Sequence, residues 1–144
     1  MSFGGSTIIE RSLLERLAEE RLGDFETLMA AGRYAAAIYL GVYAVECLLK
    51  AHICKSLDLD ALPETYEKHH LLVLLLHSGL NRRIQGMAVY DNLRKLDGMW
   101  NPADRARNIR YIDPSRYVRE IAEMVRGWLV DPQNGVVTWL RSQL

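Results

Sequence analysis

YAAAIYLGVYAVECLLK, residues Tyr34 to Lys50, is apolar or small on nearly every helical face and carries one acid, Glu46. Apolar residues on all sides of a helix mean burial on more than one side. The stretch therefore reads as the central helix of a bundle, or as one that also faces a dimer partner. Ala35, Ala36, Ala37, Gly41 and Ala44 are small enough to let neighbouring helices come close. A carboxylate set into such a helix needs a partner, because an unpaired buried charge is very costly. Two candidates stand out: Lys50, one turn on, and the arginines of 105-RARNIRY-111.

Outward from this helix, the pattern stays helical. The chain has 144 residues, enough for one domain with a real core. No alternating strand pattern bounded by turn pairs is seen, so the expected class is all-α, with five to six helices. A first helix is expected after a Ser6 or Thr7 cap and runs to about Met29, with Gly23 a local bend or stop. Gly32 breaks the chain, and the central helix runs from about Arg33 to Ser56. Further helices are expected at about His69–Ser78, Arg83–Asp97 and from Asp113–Pro114–Ser115 to about Val130. Residues 98-GMWNPADRARNIRYIDPS-115 form the longest candidate loop. The tail, Val136–Leu144, reads as a short helix whose Val137, Trp139 and Leu140 seek a surface to cover. Residues 1–144 form a single domain on this reading, with a core at about 8–130 and an extension at 131–144.

The formal net charge is zero, yet residues 82–119 hold nine Lys or Arg and four acids. A basic segment on a neutral chain fits an anionic ligand if its arginines converge, or a solvated helix face if they do not. Cys47 and Cys54 sit seven apart on one helix, too far for a mutual bridge. Both read as small buried hydrophobes, which fits a reducing cytoplasm. The N-terminus lacks a basic-then-apolar signal pattern, and the aliphatic run Leu71–Leu76 is far too short to span a bilayer. His69 and His70 are adjacent, point to different helix faces and lack the acid or cysteine cluster of a metal site. One is expected to anchor the third helix and the other to be exposed. Trp128 and Trp139 read as packing residues. Trp100, beside the basic loop, is a candidate for stacking on a base.

Three motifs carry a resemblance. The pattern G-x-Y-x-x-A-x-x-x-x-x-Y-A-V-E-x-x-L-K-A stands here as 32-GRYAAAIYLGVYAVECLLKA-51. An H-x-L helix opening stands as 69-HHL-71. A Trp followed at loop distance by Arg-Tyr stands as Trp100 and Arg110–Tyr111. Together they resemble the HEPN superfamily (higher eukaryotes and prokaryotes nucleotide-binding domain) over about residues 8–130. The resemblance implies an up-and-down helical bundle, often a homodimer, that binds nucleotide or RNA without a cofactor. It also implies a toxin–antitoxin or defence setting, with a nucleotidyltransferase-type antitoxin as a partner. Catalytic members are metal-independent endoribonucleases with an arginine followed four to six residues later by histidine. All four histidines here, His52, His69, His70 and His77, precede the arginine-rich loop. The expected protein is therefore a non-catalytic or degenerate module, with an endoribonuclease and a ligand-free adaptor dimer as alternatives. Candidate ligand-binding residues are Glu46, Lys50, Trp100, Arg105, Arg107 and Arg110. Arg105, Arg110 and Tyr111 are the candidates for catalysis, had it survived. Tyr111 reads either as a buried hydroxyl anchoring the loop or, by the resemblance, as a site a partner nucleotidyltransferase modifies.

Overall fold

A computed structural model describes residues 8–144. Among them are seven α-helices: α1 (Arg11–Ala30), α2 (Tyr34–Ser56), α3 (Leu71–Ser78), α4 (Asn81–Ile84), α5 (Ala88–Trp100), α6 (Arg119–Val130) and α7 (Val136–Ser142). Three single 3-10 turns punctuate the connections. The all-α class is as expected, with one more helix than the upper expectation.

The central position of α2 follows from its composition. It packs along α1 over most of its length and also meets α3, α6 and α7. Ala37, Ile38, Val42, Ala44, Val45 and Leu49 are all fully buried. Gly41 is where the approach is closest: a Cβ there would lie 2.7 Å from Leu129 Cδ1 and 3.1 Å from Phe25 Cδ2. Hydrogen is the side chain that fits between α1 and α6 at this point. Among the described residues, α2 is also the one helix long and apolar enough to cross a membrane, but 83% of that window is buried within the protein. Its apolar faces are already covered by other helices.

The glycine breaks have a backbone cause at three places. Gly32, Gly79 and Gly86 adopt φ of +72, +79 and +77, which side-chain-bearing residues rarely do. Gly32 and Gly79 end α1 and α3 where expected. Gly86 splits the expected Arg83–Asp97 helix into α4 and α5. Gly23, in contrast, sits inside an unbroken α1 with open space where a Cβ would lie. The Ser6 or Thr7 cap lies outside the described residues; α1 starts at Arg11 with Glu10 at its N-cap, and Glu10 bridges to Ala61.

Two other boundaries move. Helix α5 continues through Gly98 to Trp100, because Trp100 is 1% exposed and its burial holds the last turn. Pro102 then stops it, since the residue before a proline is pushed out of the helical region; Asn101 has φ −136 and ψ 59. The expected helix start at Asp113–Pro114–Ser115 makes one 3-10 turn, in which the Asp113 carboxylate accepts from the Ser115 amide and hydroxyl. The chain then leaves the helical region so that Tyr117 can reach the core, and α6 begins at Arg119.

The C-terminal helix closes the bundle. Val136, Val137 and Leu140 are fully buried, while Trp139 is partly covered. His52 of α2 lies 2% exposed and its Nε2 donates to the carbonyl of Leu140 at 2.8 Å. Burial pushes the His52 pKa below its ordinary value, with the Leu140 carbonyl pulling the other way. In the unfolded chain an ordinary histidine takes its proton near pH 6.5, before the folded one does. Stability is therefore held above that pH and falls as acid moves toward the folded pKa. Melting curves from pH 7.5 to 5 should show wild type losing stability that His52→Gln retains. Parallel pH profiles would contradict this.

Candidate binding site around Glu46

Glu46 is 1% exposed and is the hub of a polar cluster joining three segments. Its Oε2 accepts from Lys50 Nζ at 3.1 Å, the one-turn pairing on α2. Its Oε1 accepts from Trp100 Nε1 at the end of α5, at 3.0 Å, and from His69 Nδ1 at 2.9 Å. Of the two partners the sequence offered, Lys50 is used and the arginine loop is not. A buried carboxylate with one cation and two further donors is well satisfied. Among the described residues, no buried side-chain nitrogen or oxygen lacks a partner.

The entry to α3 is held by a second carboxylate. No side chain of the α3 N-cap residue, His70, bonds the helix. Asp97 of α5 does so from across the bundle: its Oδ1 accepts from the Leu71 amide at 2.9 Å and lies 3.5 Å from His70 Nδ1. Asn101 adds a bond from its side-chain amide to the His69 carbonyl. Both adjacent histidines are thus tied to carboxylates, His69 to α2 and His70 to α5, while both stay on the surface. Desolvation pushes the Asp97 carboxyl above its usual range, against the pull of His70 and of the Leu71 amide. Asp97→Ala should lower stability by about 1–3 kcal/mol, because it leaves the buried Leu71 amide unbonded. Asp97→Asn keeps an acceptor, so its urea midpoint should lie closer to wild type. Equal midpoints for the two variants would contradict the capping role.

Arg110 reaches this cluster by stacking. Its Cζ lies 4.1 Å from the Trp100 ring centroid and 5.7 Å from that of Tyr39. Its Nη1 donates to the Trp100 carbonyl at 3.1 Å and to Asn108 Oδ1 at 3.3 Å. Tyr39 and Trp100 themselves meet with ring centroids 5.1 Å apart and planes at 52°. The result is an open cavity of about 320 Å³ lined by Tyr39, Tyr43, Glu46, His69, Trp100, Asn101 and Arg110. That size suits a small ligand. A larger recess of about 630 Å³ beside α1 gathers Glu10, Glu15 and Asp60 around Arg11. Arg11 is committed to Glu15 at 3.0 Å, so that recess is a poor host for an anion.

The other expected residues fall elsewhere. Arg105 and Arg107 lie exposed in a 3-10 turn, outside the cavity lining. Tyr111 is 66% exposed, so it is not the buried loop anchor; Ile109 is, with its amide bonded to the Met99 carbonyl. Trp100 is buried under Arg110 instead of facing a ligand directly. The basic segment does not converge. Arg83 points to Gln143, Lys95 sits over Trp128, and Arg119 lines a separate cavity with Glu26, Glu123 and Arg126. Cys47 neighbours Tyr43, and burial pushes its thiol up to about 11, so it offers no thiolate nucleophile at neutral pH. Among the described residues, no group of three His, Cys, Asp or Glu could hold a metal ion.

His69 is a site residue that sequence spacing missed, as are Tyr39, Tyr43 and Asn101. His69 stands 41 positions before Arg110, yet both line one cavity. Its only sequence signal was the H-x-L helix opening together with an acid on α2 in need of a donor. Comparison of the chain with known proteins finds no matching family model, no similar curated protein and no similar solved structure.

Proposed function

We propose that this chain is a HEPN-type helical module that binds the phosphate of a nucleotide or of RNA in the Glu46–His69–Arg110 cavity. The observation that carries the reading is the meeting of an arginine and a carboxylate-held histidine in one open cavity beside exposed Tyr39. Arg110 Nε and Nη2 have no partner among the described residues, and a guanidinium edge suits phosphate oxygens. Because the remaining arginines are dispersed, the favoured ligand is compact: one nucleotide, or one nucleotide of a strand. The homodimer, the toxin–antitoxin or defence setting and the nucleotidyltransferase-type partner rest on the family resemblance, and the cytoplasmic location on the two free, buried cysteines.

A second reading is favoured by His69. In the neutral imidazole with Nδ1 donating to Glu46, Nε2 carries the lone pair, and the side chain is 66% exposed. A base held this way by a carboxylate is a common catalytic arrangement. In a metal-independent endoribonuclease, Nε2 would take the proton of a ribose 2′-hydroxyl. The 2′-oxygen would bond to phosphorus, and the 5′-oxygen would leave and take a proton from solvent. The products would be a 2′,3′-cyclic phosphate and a 5′-hydroxyl. In this reading His69 replaces the histidine missing after the arginines.

One experiment tests both. A short single-stranded RNA is incubated with wild type, Arg110→Ala and His69→Gln with metal chelated, and retention and cleavage are read across a salt series. Arg110→Ala should weaken retention about tenfold at low salt and reduce the salt slope by roughly 0.7, the loss of one phosphate contact. Cleavage lost in His69→Gln would select the ribonuclease reading; no cleavage would leave the binding module. Equal, salt-insensitive retention by wild type and Arg110→Ala would remove both and leave the adaptor.

A further inference from the structure

Arg110 is not placed as a simple phosphate clamp. Its guanidinium lies over Trp100 at 4.1 Å, and Trp100 is 1% exposed, so Arg110 forms the outward layer of the stack. Nη1 is spent on the Trp100 carbonyl and Asn108 Oδ1. The turn behind it is pinned as well. The Arg110 amide donates to Asn108 Oδ1 at 2.9 Å, Asn108 Nδ2 donates to the Trp100 carbonyl at 3.4 Å, and Ile109 is buried. A long, flexible side chain is thus fixed before any ligand arrives, so its ordering is not charged to binding. What remains open is one flat cationic face and the Nε–Nη2 edge.

We propose that this outer face of Arg110 is a stacking platform for the base of a nucleotide. The proposal deepens the phosphate-binding reading above and rests on it. Guanidinium planes are weakly hydrated and stack on bases as aromatic rings do, whereas an ammonium does not. Trp100 backs the plane from below, and Tyr39, 36% exposed, stands beside it as a wall. His69 and Asn101 line the same cavity and offer polar groups to the sugar or phosphate. Other cations sit over aromatic rings, Lys95 over Trp128 at 5.4 Å and Arg94 over Tyr90 at 5.9 Å. None of those four residues lines the cavity. The ligand class is a planar base joined to a phosphate, with a purine favoured over a pyrimidine by its larger face.

Titration calorimetry of the full chain with AMP, UMP and ribose 5-phosphate tests this. AMP should bind about tenfold more tightly than ribose 5-phosphate, the scale of one stacked base, with UMP between them. Arg110→Lys keeps the charge and loses the plane. It should weaken binding of both ligands, because the guanidinium edge on the phosphate is lost as well, but of AMP by more, so that the advantage of AMP disappears. Equal affinities of wild type for AMP and ribose 5-phosphate would overturn the platform and leave phosphate binding standing. An AMP advantage that survives in Arg110→Lys, shown folded by its melting curve, would overturn it too. Binding of none of the three would end the nucleotide reading and this one with it. If Arg110→Lys does not fold, the wild-type comparison of the three ligands decides.

Discussion

Glu46→Ala should lower the unfolding free energy by about 3–5 kcal/mol, the scale for breaking a buried ion pair. The loss has three parts. Lys50, 8% exposed, keeps a charge with no counter-charge at its 3.1 Å partner position. The indole N–H of fully buried Trp100 loses its acceptor. His69 loses its tie between α2 and the start of α3. Glu46→Gln separates these, because an amide oxygen still accepts from Trp100 or His69 while Lys50 goes unmatched. The double variant Glu46→Gln with Lys50→Met should recover part of the loss, since removing both charges together avoids the isolated cation. Urea unfolding reads all three. An unchanged midpoint in Glu46→Ala would show that the cluster contributes nothing to stability.

Trp100→Ala should cost a similar 3–5 kcal/mol, the range for truncating a large buried aromatic. The ring is 1% exposed and fills the space between Tyr39 and the strap carrying Arg110. Its removal leaves a void and frees Arg110 from its stack. Trp100→Phe keeps most of the ring but loses the N–H to Glu46, so its cost should lie nearer 1–3 kcal/mol, that of one buried acceptor left short of a donor. Near-equal stability of Trp100→Ala and wild type would mean that this end of α5 is not packed as described.

Much of the frame could be read from residue order. The bounds of α2 follow from a long run of apolar and small residues between Gly32 and the polar stretch after Ser56. Gly79 gave the end of α3 for a local backbone reason. The Glu46–Lys50 pair is a one-turn relation, visible in any helix. What escaped was non-local or balanced between two local tendencies. Gly86 and Gly98 look alike in sequence, yet one takes a positive φ and splits a helix while the other stays helical. Asp113–Pro114–Ser115 is a sound turn start, but burial of Tyr117 draws the chain out before a helix can form. His69 meets Glu46 across 23 positions and Trp100 meets it across 54. No periodicity encodes such distances; they follow from how α2, α3 and α5 pack. Trp100, read as a surface stacking residue, became core because it closes the gap behind Arg110.

The site's location is best tested by amide and indole NMR of the labelled full chain during titration with a short single-stranded RNA. The expected result is chemical-shift change concentrated at Tyr39, Tyr43, His69, Asn101, Arg110 and the Trp100 indole, fading outward along α3 and α5. A separate cavity of about 360 Å³ is lined by residues 32–36, Pro114 and Tyr117; changes centred there instead, or no change at any concentration, would contradict the assignment of ligand binding to Glu46, His69 and Arg110.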